Sequence, residues 1–74
     1  MTRLPDLMVG DVVEYSWWDE QPNNEPPVEE DTRVTIDAGD LRGFAYADFM
    51  VFLSTCISVR ITRAGVVIWE RGRE

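Results

Sequence analysis

The sequence predicts an α+β fold: a small antiparallel sheet of about four strands carrying one helix. Three observations lead there. Runs of β-branched and aromatic residues near 12–18, 32–37, 55–62 and 66–70 have the two-residue periodicity of strands. Turn-forming residues separate them, as Gly10-Asp11, Ala38-Gly39-Asp40 and Ala64-Gly65. The stretch 40–53 spaces its apolar residues as a helix does. The alternative is an all-β SH3-like barrel with one long bent strand, because odd positions from Ala45 to Ile61 are apolar except Thr55. A strand of that length is unusual, so the segment divides into a helix, 40–53, and a strand, 55–62.

The first strand follows the Gly10-Asp11 turn. Its alternation puts Val13, Tyr15 and Trp17 on one face and Val12, Glu14, Ser16 and Trp18 on the other. The first set is the core face, which leaves Trp18 for solvent or a partner. Residues 19–31 read DEQPNNEPPVEED, with three prolines, two adjacent asparagines and six acids. Such a composition disfavours a helix or central strand, so an exposed, partly extended acidic loop is expected. Thr32–Asp37 alternates as a strand with Val34 and Ile36 inward. Asp40 is the expected N-cap of the helix, whose stripe is Leu41, Ala45, Phe49 and Phe52.

Ile57, Val59 and Ile61 pair with Val66, Ile68 and neighbours across the turn at 62–65, forming an antiparallel hairpin. The expected core is Val13, Tyr15, Trp17, Val34, Ile36, Phe49, Phe52, Ile57, Val59, Ile61, Val66 and Ile68. Trp69 is out of step with Val66 and Ile68, so it is expected on the opposite face. A single helix cannot cover both faces of a sheet. The exposed indole therefore points to a homodimer with Trp69 at its interface. Residues 71–74 read as a polar, frayed tail.

A chain of 74 residues makes one domain, 1–74, with a small core. Its one cysteine, Cys56, forms no internal disulfide and sits in an apolar run, which reads as a buried thiol. There is no histidine, no lysine and no glycine-rich phosphate loop, so nucleophilic and phosphate chemistry lack their usual parts. Asp37 and Asp40 could act as acid and base but read better as turn and cap residues. No enzyme activity, cofactor or metal is expected. The acids at 19–31 lack the calcium-loop pattern, and two adjacent prolines hinder their convergence.

The net charge of −7 argues against anionic membranes and direct nucleic-acid binding. No signal peptide or membrane span is evident, and a cytoplasmic location is expected. All seven basic residues are arginine, a bias that GC-rich bacterial or phage coding produces, which in the phage case means the host cytoplasm.

The charge is uneven. Residues 1–31 hold nine acids and one base, whereas 32–74 hold five acids and six arginines. The plain reading is a solvated loop whose acids keep the chain soluble, with Trp18 packed beneath it; the sharper one is a partner-binding surface at Trp18, Asp19, Glu20, Glu25, Glu29, Glu30 and Asp31. There an aromatic anchor adjoins carboxylates that mimic a nucleic acid before a basic protein surface. The expected function is an inhibitor or modulator that occupies such a site. The other reading is a structural or assembly subunit whose function is homo-oligomerisation, built on exposed strand edges and a small core.

Overall fold

The computed structural model describes residues 3–72. Strand β1 (Val12–Asp19) pairs with β2 (Val28–Thr35), a 3-10 turn (Gly39–Leu41) leads into helix α1 (Gly43–Thr55), and β3 (Ser58–Arg63) turns into β4 (Val66–Arg71). The sheet order is β2-β1-β3-β4, and every neighbouring pair is antiparallel. The fold is thus the small α+β arrangement with an open sheet, not the closed barrel.

The helix connects β2 to β3, which flank β1, so the chain crosses the sheet and lays α1 on one face. That face supplies Val13, Val59 and Ile61, which are buried with Leu7, Ile36, Leu53 and Cys56. Tyr15, Trp17, Val34, Phe49 and Phe52 pack around them as expected. Tyr15 meets Phe49 and Phe52 edge-on at 5.9 and 5.4 Å, geometry that suits the quadrupoles of the rings. Leu4 and Leu7 bring the N-terminal segment onto the same core, and the Leu7 amide donates to the Tyr46 hydroxyl at 3.1 Å.

Several expectations are corrected. The helix spans 43–55, and its inward residues are Tyr46, Phe49, Met50, Phe52 and Leu53, whereas Ala45 is exposed. Asp40 does not cap it. The Asp37 and Asp40 carboxylates instead accept each other's backbone amides at 3.0 and 2.9 Å, which closes the 3-10 turn. Extended Arg42 and Gly43, at φ +53°, separate that turn from the helix. At the other end the Ser54 and Thr55 hydroxyls donate back to the Val51 and Phe52 carbonyls. The last turn thus persists and the next strand starts only at Ser58.

The second strand begins at Val28 rather than Thr32. Pairing with β1 draws Val28–Asp31 into the ladder, and as an edge strand β2 tolerates a charged sequence. The loop shrinks to residues 20–27.

The last strand is corrected as well. Ile61 opposes Trp69 but Thr62 opposes Val67, so Ile68 is the extra residue of a β-bulge. The bulge turns Trp69 inward onto the core and leaves Val66 and Ile68 exposed. The outward-facing indole that pointed to a Trp69 dimer contact is absent. Arg71 is likewise no frayed tail residue. Its guanidinium donates to the carbonyls of Leu53 (3.0 Å), Ser54 (3.3 Å) and Cys56 (2.6 Å), where a cation suits the negative end of a helix. Arg73 and Glu74 lie outside the described residues.

Candidate partner-binding surface

The surface is built on the β1–β2 hairpin. β1 pairs with β2 along its whole length but with β3 only from Val12 to Ser16. Trp17–Asp19 and Val28–Glu30 therefore run on as a two-stranded arm beyond the rest of the sheet, closed by residues 20–27. The molecule measures 40 × 27 × 22 Å, the elongation that such an arm gives to a small domain. Its tip turns through Asn23 and Asn24, both with positive φ (59° and 60°), and the Glu25 amide donates to the Pro22 carbonyl at 3.2 Å. This is the type I′ turn that matches strand twist, and asparagine is the side chain that best tolerates it after glycine.

Strand alternation then distributes the side chains. On the inner face Trp17 meets Phe52 edge-on at 6.1 Å and its indole N–H donates to Thr32 Oγ1 at 3.1 Å, anchoring the arm to the core. On the outer face Trp18 is 56 % exposed and stands opposite Glu29. One step along, Ser16 donates to the Asp31 carboxylate at 2.5 Å and accepts from Ser58 at 3.1 Å. Asp19 and Glu30 belong to the other face, opposite Val28 and Trp17, while Glu20 and Glu25 lie in the loop. The hairpin thus gathers five of the six acids in the arm, divided between its two faces and the loop, and sets Asp31 at its base opposite Ser16. No basic residue occurs from Trp17 to Thr32.

Beyond the arm the outer face changes character. Arg33, Glu14, Arg60 and Glu70 lie side by side across the four strands, a row of alternating charge, and Arg60 meets Glu70 at 2.6 Å. This row keeps the helix-free face of the sheet polar. It borders an open groove of about 570 Å³ that also includes Ser16, Asp31 and Ser58. None of this polar row was legible without the register.

The remaining reactive groups serve the fold. Cys56 is buried, its Sγ–H lies 3.4 Å from the Phe52 carbonyl, and burial pushes its thiol pKa up, so the thiolate is disfavoured. Asp11 is 1 % exposed. It accepts from Arg63 Nε (2.9 Å) and Nη2 (2.8 Å) and from the Met8 amide (2.8 Å). These bonds, led by that from Arg63, hold its carboxyl below the usual aspartate range against the opposing effect of burial. Among the described residues no group of three or more Cys, Asp or Glu is arranged to hold a metal ion, and no helix is long and apolar enough to cross a membrane. No protein-family model, curated protein or solved structure matches the chain.

Proposed function

We propose that this chain is a small binding module, an inhibitor or modulator whose acidic arm occupies a basic, nucleic-acid-binding surface on a partner protein. The observation that carries the reading is the arm itself: five carboxylates with a sixth, Asp31, at its base, no cation, and an exposed Trp18 on a hairpin end that extends beyond the rest of the sheet. Ladder pairing and the Trp17–Phe52 contact tie the arm to the sheet. Trp18 supplies a desolvated anchor and the acids supply steering. The test is capture of a basic protein from a lysate by wild type and by the Glu29→Gln/Glu30→Gln/Asp31→Asn variant. Weaker capture by a variant that keeps the wild-type fold supports the reading, and equal capture contradicts it.

The assembly reading keeps one specific support. β4 is a free edge with Val66, Val67 and Ile68 exposed, the kind of strand that pairs with another copy. Light scattering separates the two readings: a stable large homo-oligomer favours assembly, whereas a monomer or dimer that still captures a basic partner favours the first.

A further inference from the structure

We infer that residues 3–9 form a strap that opens and closes over the core as one unit, apart from the sheet, with the Asp11–Arg63 pair as its latch and the Val9-Gly10 turn as its hinge. The inference does not rest on the proposed function, because the strap and the acidic arm lie at opposite ends of β1.

The way the strap is held sets it apart from the sheet. From Gly10 onward the backbone is tied to the end of β2. The Gly10 amide donates to the Ile36 carbonyl and the Ile36 amide to the Asp11 carbonyl, both at 2.8 Å. Before Gly10 that support stops. Among the described residues, the one backbone–backbone bond made by residues 3–9 runs from the Asp11 amide to the Met8 carbonyl at 3.0 Å, and it only closes a local turn. The other polar ties involve side chains. The Leu7 amide donates to the Tyr46 hydroxyl at 3.1 Å, the Met8 amide to Asp11 Oδ2 at 2.8 Å, and Arg63 Nη2 to the Asp6 carbonyl at 3.1 Å.

Two of these three ties pass through one ion pair. Asp11 Oδ2 accepts from the Met8 amide and also from Arg63 Nη2, at 2.8 Å. The same Nη2 donates to the Asp6 carbonyl. A shift of either partner therefore loosens both ties together, which is what a latch requires. The hinge is free of packing. Met8 and Val9 are exposed, and Gly10 holds φ +92° in surroundings where a Cβ would meet nothing within 4 Å. The apolar contacts of the strap are local as well. Leu7 is its buried side chain and Leu4 packs beside it, so opening withdraws these two and leaves Val13, Ile36, Leu53, Val59 and Ile61 packed on one another. Few backbone bonds and few buried contacts are the marks of a segment that opens below the free energy of global unfolding.

Native-state amide exchange of the full chain in rising, sub-denaturing urea tests the inference. In wild type the Leu7 and Met8 amides should be protected, but less than those of Val59 and Ile61 and with a shallower urea dependence. Two variants test the latch. Asp11→Asn should speed exchange at Leu7, whose acceptor is Tyr46, and Tyr46→Phe should speed it at Met8, whose acceptor is Asp11. Each cross-effect should be about tenfold, as expected for one hydrogen bond. Tyr46→Phe carries this coupling alone if Asp11→Asn does not fold. A third variant tests independence from the sheet. Phe52→Leu, which alters the contacts with Tyr15 and Trp17, should speed exchange at Val59 and Ile61 and leave Leu7 and Met8 unchanged. Leu7 and Met8 exchanging at the rate and urea slope of Val59 would make strap and sheet one unit and overturn the inference. Acceleration confined to the amide whose own acceptor was changed would mean separate bonds with no latch. Unprotected Leu7 and Met8 amides in wild type would mean no closed strap, and either result also overturns it.

Discussion

Asp11 shows how one side chain joins distant parts of this chain. Its carboxylate ties the 4–10 segment, through the Met8 amide, to β3 through Arg63, and Arg63 also donates to the Asp6 carbonyl at 3.1 Å. Replacing Asp11 by Ala strands a buried amide and removes the bidentate partner of an arginine, at a cost of about 2–3 kcal/mol. The carboxyl pKa is lowered in the fold, so its stabilisation is complete above the ordinary aspartate value of 3.8 and is lost as pH falls through the depressed value. Urea unfolding of wild type and Asp11→Asn from pH 7 to 2 checks this: the wild-type advantage should hold to about pH 4 and shrink below it. A constant difference would place the stabilisation elsewhere. Ala64 offers an opposite change. It sits at φ 52° in the β3–β4 turn, where its Cβ is strained. Ala64→Gly should therefore stabilise by about 0.5–1 kcal/mol, read as a higher melting temperature.

At the scale of elements, the arm is the least supported part of the sheet, since it has two strands and one core-facing anchor. Its tip depends on two left-handed residues. Asn23→Ala with Asn24→Ala should cost about 1–2 kcal/mol per residue locally. Amide exchange should then rise at 17–19 and 28–30 while Val13, Val59 and Ile61 stay protected. Uniform loss of protection would mean that the arm and sheet fold as one unit.

The same elements mark what the sequence discloses. Val13, Tyr15 and Trp17 were readable as a core face because alternation is local; the same alternation put Trp18 on the opposite face, but it could not say that the acidic loop would leave the indole uncovered, as it does. The start of β2 was not, because Glu29-Glu30-Asp31 has poor strand propensity and only pairing with Trp18, Trp17 and Ser16 makes it a strand. The Asn23-Asn24 pair was the available signal for a hairpin there. The face of Trp69 depended on a bulge, and a one-residue irregularity reverses every side chain beyond it. The Asp11–Arg63 pair spans 52 positions and leaves no local trace.

For the whole molecule, the decisive property is the separation of charge from core. Most of the buried residues come from the nearly neutral second part of the chain, whereas the first part carries the arm and its acids. Acids held away from the core can be changed with little cost to it, and under the proposed reading they would act on a basic partner at a distance set by screening. The measurement that tests the arm reading most directly is the salt dependence of association between the full chain and its captured basic partner. The account predicts an association rate that falls by about tenfold between roughly 50 and 300 mM salt, with a much smaller change in dissociation. It further predicts that this slope flattens in the Glu29→Gln/Glu30→Gln/Asp31→Asn variant. An association rate insensitive to salt, or an equal slope in wild type and variant, would contradict it.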